Sequence, residues 1–377
     1  MSMASRATEL TADLVRIKSI TYCERQAAEY IADFLAKLGF RAGVDEANNA
    51  IGELKGKGNG PRLLFLGHHD TVEEGDGSLW TYPPFAGTIA DEAIWGRGAC
   101  DEKGGIGAAL AAIERLCSEN PADLAGDILF MSTREETSDV SARGVMLPLR
   151  EGIRADFCIC LEPTELHLVL GQKGRVVIEV LTHGKSAHSG VPHEGINAIN
   201  HMAAVLLELE QMDLPQIPPL GKGTQSVGVI KGGVRPNIVA EACFAQLDRR
   251  LVGGETTQSV HASLDAAISR VKQRVPSLRA EVSLRSPFYP SVIPEASPIV
   301  ALMEQAIRAS GLEVRKTYVD FHTDAEWIIN EANIPAVIFG PGSIAHAHAA
   351  NERVVVKDLA KAAEVYYRLM RSTLIIR

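Results

Sequence analysis

The stretch RLLFLGHHDTVEEG, Arg62 to Gly75, runs from a short apolar segment into two histidines, an aspartate and then two glutamates. The apolar segment has the length and density of a buried strand. His68, His69 and Asp70 therefore sit at the C-terminal end of a strand, where open α/β sheets gather their ligands. A wet turn accounts for Glu73 and Glu74. It does not account for three residues of metal-binding type placed directly after a buried strand. Side chains alternate along an extended segment, so His68 and Asp70 share one face and His69 takes the other.

Outward from this stretch the same grammar repeats. AAEYIADFLAKLGF reads as a helix closing near Gly39, and PRLLFLG, GIGAALAAIERL, GDILFMS and ADFCICL follow as strand, helix, strand and strand up to about residue 172. Such alternation predicts a parallel sheet covered by helices. From Gly174 the order becomes strand (RVVIEVLTHG), helix (GINAINHMAAVLLELEQM), strand (TQSVGVIKG), strand (IVAEACFAQLDRRL), helix (ETTQSVHASLDAAISRVKQR) and strand (RAEVSLR). This β-α-β-β-α-β order is that of a ferredoxin-like module. Past Ser286 and Pro287 a helix from about Pro298 to Ser310 and the strand PAVIFG resume the first pattern. Residues 174–287 are thus an insertion in a larger domain made of residues 1–173 and 288–377.

A chain of 377 residues exceeds the size at which one core stops growing, in keeping with two domains. Its 38 Lys and Arg against 47 Asp and Glu leave a formal charge of −9, which disfavours nucleic acid and anionic membranes as partners and favours small molecules. Leu10, Leu14 and Ile17 recur at helical spacing near the start, with no long apolar block, so a signal peptide or membrane span is not expected and the cytoplasm is. Six scattered cysteines frame neither zinc pairs nor a disulfide scaffold; Cys158 and Cys160 read as buried thiols.

Four apolar runs of the larger domain lead to acids or histidines: Leu66 to His68 and Asp70, Met131 to Glu135 and Glu136, Leu161 to Glu162, and Phe339 to His346 and His348. A fifth segment, GRGACDEKGG, projects Asp101 from a glycine-rich loop just before a helix. Each alone is an ordinary wet strand end or surface histidine. Their coincidence along one sheet edge points to a centre of imidazoles and carboxylates, which suits zinc, cobalt or manganese; the lack of cysteine argues against a closed structural zinc site. Neither the glycine loop nor LGKG has the spacing of a phosphate cradle, so nucleotide binding is disfavoured.

Taken in order, GHHDTV, GRGACDEKGG, REETS, LEPTE, HGKSAHSGVPHEGINAI, GGVRPNIVA, LDRRL, HTDA and GPG followed by HAANE resemble the co-catalytic zinc metallopeptidases that include acetylornithine deacetylase, succinyl-diaminopimelate desuccinylase, glutamate carboxypeptidase and aminoacylase. The resemblance covers nearly the whole chain. It implies a zinc-peptidase-like (phosphorylase/hydrolase-like) α/β catalytic domain with an inserted ferredoxin-like α+β lid that also forms a homodimer. It further implies two divalent ions, zinc or else cobalt or manganese. Asp101 would bridge them, His68 and Glu162 would ligate one, and Glu136 and His348 the other, with His346 as the fallback. Asp70 would orient a ligand, Glu135 would be the general base, and His69 would pack away from the metals. In the lid, His188 would stabilise the oxyanion in a partner's site, and Asn237 and Arg250 would hold a substrate carboxylate. Arg249 competes with Arg250 for that role, and alternation puts the two on opposite faces.

The implied activity is hydrolysis of an N-acyl amino acid or small dipeptide. Acetylornithine deacetylase comes first, a desuccinylase or a carboxypeptidase/dipeptidase next, and a catalytically silent metal-binding homologue is the alternative of another class; the presence of Glu135 speaks against the last. Three departures bear on substrate choice: His322 stands where a small residue is usual, EETSDVSARG delays a glycine to Gly144, and HAHAANE doubles the histidine.

Overall fold

The structure, a computed structural model, describes residues 1–119, 124–137 and 143–375. The chain divides into two compact units, one of residues 1–171, 292–318 and 323–377, the other of residues 172–291 and 319–322.

In the larger unit Arg62–His68 is buried from Leu63 onward, because it lies inside a nine-stranded sheet. It pairs in parallel with Asp127–Thr133 on one side and Phe157–Cys160 on the other, and Ala336–Ile338 continues the parallel set. The sheet is mixed, where the alternating sequence predicts a parallel one. Ala50–Leu54 and Arg41–Val44 extend one side antiparallel, and Leu168–Gln172 joins Ala336–Ile338 antiparallel on the other. The physical reason is length and composition: RAGV and AIGEL are short and half exposed, so they carry no buried apolar run and sit outside the doubly covered centre. Over that centre, Leu10 and Leu14 of Met3–Arg16, Ile106 and Leu110 of Lys103–Glu119 and Tyr366 of Val356–Leu374 share one apolar core with Phe65. Tyr366 stands edge-on to Phe65 and Phe339 and donates its hydroxyl to the Phe339 carbonyl at 2.6 Å.

Two glycines set how closely this layer approaches the strand ends. A Cβ on Gly105, in the first turn of Lys103–Glu119, would stand 2.1 Å from the Leu161 carbonyl oxygen, so that helix lies directly against the residue before Glu162. A Cβ on Gly144 would stand 2.2 Å from the Arg134 carbonyl oxygen. The glycine of EETSDVSARG therefore lets Arg143–Arg150 start against the strand end; residues 138–142 of that stretch lie outside the described residues. Gly105→Ala is expected to cost about 1–3 kcal/mol through a forced backbone shift, read as a lower urea midpoint at unchanged slope. An unchanged midpoint would mean that helix and strand end separate freely.

The smaller unit carries a four-stranded antiparallel sheet in the order Thr224–Gly232, Ala242–Leu251, Gly174–His183, Arg279–Phe288, with the helices Ala198–Glu210 and Thr257–Arg274. This is the ferredoxin-like arrangement. Strict alternation of burial along Gly174–His183 directs Val176, Ile178 and Val180 to the core they share with Met202 and Leu264. Val319–His322 joins this unit as well: the Lys173 amide donates to the Val319 carbonyl, Lys173 pairs with Asp320 at 2.8 Å, and the His322 ring lies 4.0 Å from that of Phe288. No helix of the described residues is long and apolar enough to cross a membrane.

Candidate metal centre

His68, the last residue of its strand, is buried with its Nε2 3.0 Å from Asp101 Oδ1 and 3.9 Å from Glu162 Oε1. One donor atom from each of His68, Asp101 and Glu162 lies within 4.8 Å of the others. The second oxygen of Asp101 faces another histidine, His348, whose Nε2 is 3.2 Å from Oδ2. Of the two histidines in HAHAANE, His348 is the one that faces Asp101. It stands at φ 58°, as does Glu135, a left-handed conformation that side chains larger than glycine adopt at a cost and that collects at functional sites.

Asp70 ties this group to the neighbouring loop. Its Oδ2 accepts from the hydroxyls of Thr21 and Thr137 at 2.9 and 2.6 Å, and its Oδ1 accepts from the Glu136 amide at 3.1 Å and lies 3.4 Å from His68 Nδ1. Burial works against the charge on Asp70, yet the hydrogen bond and charge of His68 and the hydroxyls of Thr137 and Thr21 keep its pKa below the usual value. Glu136 and the buried Glu135 follow on that anchored loop, and the Glu135 carboxylate contacts the Arg134 guanidinium. His69 turns the other way: its Nδ1 is 3.0 Å from Ser132 Oγ, and burial drives its pKa down to about 3, so it is neutral.

The electrostatics describe a shortage of positive charge. Burial pushes the Glu162 carboxyl well up, and the charges of Glu102 and Asp101 push it further. Burial likewise raises Glu136 well above its ordinary value; His68 opposes this, while Glu162, Asp324 and Asp101 add to it. On His68 itself burial disfavours the proton, but hydrogen bonds to Asp101 and Asp70 and the charges of Glu102 and Glu136 outweigh it and raise the pKa well above normal. A proton on His68 thus holds part of the charge that a cation among these carboxylates would supply. The donors are imidazole nitrogens and carboxylate oxygens, a set that fits a divalent ion. The thiol of Cys100, next in sequence to Asp101, is turned away to the Ser343 carbonyl at 3.2 Å.

Sequence reasoning missed two acids here. Glu102, joined to Asp101 by a cis peptide, accepts from the His68 amide through Oε1, and its buried Oε2 has no hydrogen-bond partner among the described residues. Asp324 accepts from Thr133 Oγ1 at 2.8 Å. Glu102 directly follows a residue singled out from sequence, and Asp324 belongs to HTDA, so both lay within stretches already quoted.

In the smaller unit, residues 187–189 pair with 237–239: the Ser189 amide donates to the Asn237 carbonyl, the Val239 amide donates to the Ala187 carbonyl, and His188 bridges Ile238. His188 and Asn237 are therefore exposed neighbours on one ribbon. Arg249 and Arg250 do face opposite ways. Arg249 is buried on Glu255 at 2.7 Å, whereas Arg250 lies on the open face with Asp248, which also takes Arg175 at 2.7 Å.

A family model described as peptidase family M20/M25/M40 matches residues 64–372. The chain belongs to that family. This M20/M25/M40 peptidase is accordingly a hydrolase acting on amides. It is similar to a succinyl-diaminopimelate desuccinylase of Methylobacterium radiotolerans, 29% identical with 97% of this chain and 96% of the relative covered. It is also similar to an acetylornithine deacetylase of Photorhabdus laumondii, 28% identical with 93% and 91% covered. Among solved structures, an M20 family metallo-carboxypeptidase of Sulfolobus solfataricus superposes with a TM-score of 0.85 at 20% identity, covering 97% of this chain and 98% of that one. The last likeness establishes the fold.

Proposed function

We propose that this M20/M25/M40 peptidase is a dinuclear metal-dependent hydrolase that removes the acyl group from an N-acyl amino acid, in the manner of an acetylornithine deacetylase. The observation that carries the proposal is Asp101, with one carboxylate oxygen toward each of two histidines at 3.0 and 3.2 Å. A carboxylate so placed suits a bridge, with His68 and Glu162 completing one ligand set and Glu136 and His348 the other. Bound there, two divalent ions, zinc or else cobalt or manganese, supply Lewis acidity and acidify a water toward neutrality. Glu135 takes the proton of the attacking water and returns it to the leaving nitrogen. Asp70, kept ionised, fixes the His68 ring and the loop that carries Glu135. His188 donates to the carbonyl oxygen as charge develops on it, and Asn237 and Arg250 hold the substrate carboxylate. Elemental analysis and amine release from a panel of N-acetyl amino acids, N-succinyl-diaminopimelate and dipeptides test the reading. Failure to hold metal discards the mechanism, and preference for the succinyl or dipeptide substrates reassigns the substrate.

The smaller unit is proposed as a lid that pairs two copies. Thr224–Gly232 is an edge strand with Val227 and Ile230 exposed, and an unpaired edge with apolar residues is a template for a twin. If His188 serves the partner's site, the inactive variants His188→Ala and Glu135→Gln should complement. In a mixed dimer one site combines the intact base of one chain with the intact histidine of the other. Coexpression with two tags, purification of the mixed dimer and an assay of amide hydrolysis should return partial activity. A mixed dimer as inactive as its parents removes the crossing.

A further inference from the structure

Arg97 and Glu352 form a buried ion pair, Arg97 Nη1 to Glu352 Oε2 at 2.6 Å, with both side chains 3% exposed or less. Its other contacts bear on the centre. Glu352 Oε1 accepts from the amides of both Cys100 and Asp101, each at 3.0 Å, although the residues lie 252 and 251 positions apart in sequence. Arg97 Nη1 also donates to the carbonyl of Ala349 at 3.3 Å, the residue after His348. The guanidinium is covered by the Trp80 ring, 5.2 Å to its centroid. Asn351 fastens the covering loop by accepting from the Thr81 amide at 2.6 Å and donating to the Leu79 carbonyl at 3.0 Å.

We propose that Arg97 and Glu352 are positioning residues that set the separation of Asp101 and His348, and so hold the metal centre at the spacing its ions require. This rests on the ligand set proposed above. One carboxylate oxygen accepting two successive amides fixes the direction of the loop that bears Asp101, since both N–H groups must converge on a point. The other oxygen passes the constraint through Arg97 to the backbone beside His348. A buried ion pair contributes little net stability, which makes registry between two distant segments the better account of its presence here. Groups that orient ligands without touching the metal typically change metal affinity 10–100-fold when altered.

The test is titration of the metal-free protein with cobalt alone, competed against a chromophoric chelator, for the parent, Glu352→Gln and Arg97→Lys. The melting temperature of each metal-free protein is recorded beside it. Glu352→Gln keeps an acceptor for the two amides but leaves Arg97 without a counter-charge. Arg97→Lys keeps the charge but replaces the planar guanidinium beneath Trp80, whose Nη1 meets both Glu352 and Ala349, with a compact ammonium on a shorter reach, so it carries the test alone if the other variant fails to fold. The parent is expected to bind two cobalt ions, and in each variant at least one should bind about 10–100-fold more weakly. Variants that bind both ions as the parent does overturn the proposal while leaving the ligand set standing, even if their metal-free forms melt earlier. A parent that binds no cobalt overturns the ligand set, and the positioning role with it.

Discussion

Glu135→Gln is expected to keep both metal ions and to lower turnover by roughly two to four orders of magnitude, the scale of losing a positioned general base, or about 3–5 kcal/mol of barrier. Glutamine matches glutamate in shape, so the left-handed backbone at Glu135 need not change. That backbone is also held from the next two residues, whose amides donate to Asp70 at 3.1 and 3.2 Å. Binding and chemistry should therefore separate, with metal content and substrate KM near parent values and kcat alone collapsing. The pair of measurements is elemental analysis and steady-state kinetics on the same preparation. Near-parent turnover would place the proton acceptor elsewhere, and Glu102, whose buried Oε2 has no hydrogen-bond partner among the described residues, is the first residue to examine.

Asp101→Ala should act one step earlier, on metal content itself. Asp101 is the residue that meets both His68 and His348. On the ligand set proposed above, its removal would take an oxygen from each ion and leave Glu136 and Glu162, both already pushed up by burial, to hold two cations without a shared carboxylate. Stoichiometry after dialysis should fall below two per chain and activity should be lost with it. Full occupancy by two ions would exclude Asp101 as the bridge. The contrast between the variants is informative because each disrupts what the other preserves.

Much of this architecture can be read from sequence because buried strands announce themselves. RLLFLG and GDILFMS are dense apolar runs, and the strand and helix order after Gly174 spells out the ferredoxin-like arrangement. The flanking strands RAGV and AIGEL escape because a short, half-exposed strand has no periodicity to detect. Strand ends make His68, Glu162 and the loop of Glu135 and Glu136 stand out. Glu352 and Arg97 do not, since a single acid four residues past a histidine looks solvated until the fold brings Cys100 and Asp101 beneath it. Arg249 and Arg250 show the remaining limit. Alternation says that they part, but only the helix side of the sheet, where Glu255 waits, tells which of them is consumed inside.

The placement of Ala336–Ile338 has a consequence for how the protein comes into being. That strand lies between Phe157–Cys160 and Leu168–Gln172, yet it is synthesised long after both of them. The four-stranded sheet of the smaller unit is complete once residue 288 has left the ribosome. The larger sheet must wait with a central gap until residue 338 has emerged, and its closure then joins segments far apart in sequence, the slow kind of contact to form. His348 and Glu352 follow only ten and fourteen residues after Ile338. On the ligand set proposed above, metal loading would thereby be deferred until these residues have emerged, and a nascent fragment carrying only His68, Asp101 and Glu162 would be a crowd of carboxylates still lacking the segment that orders it.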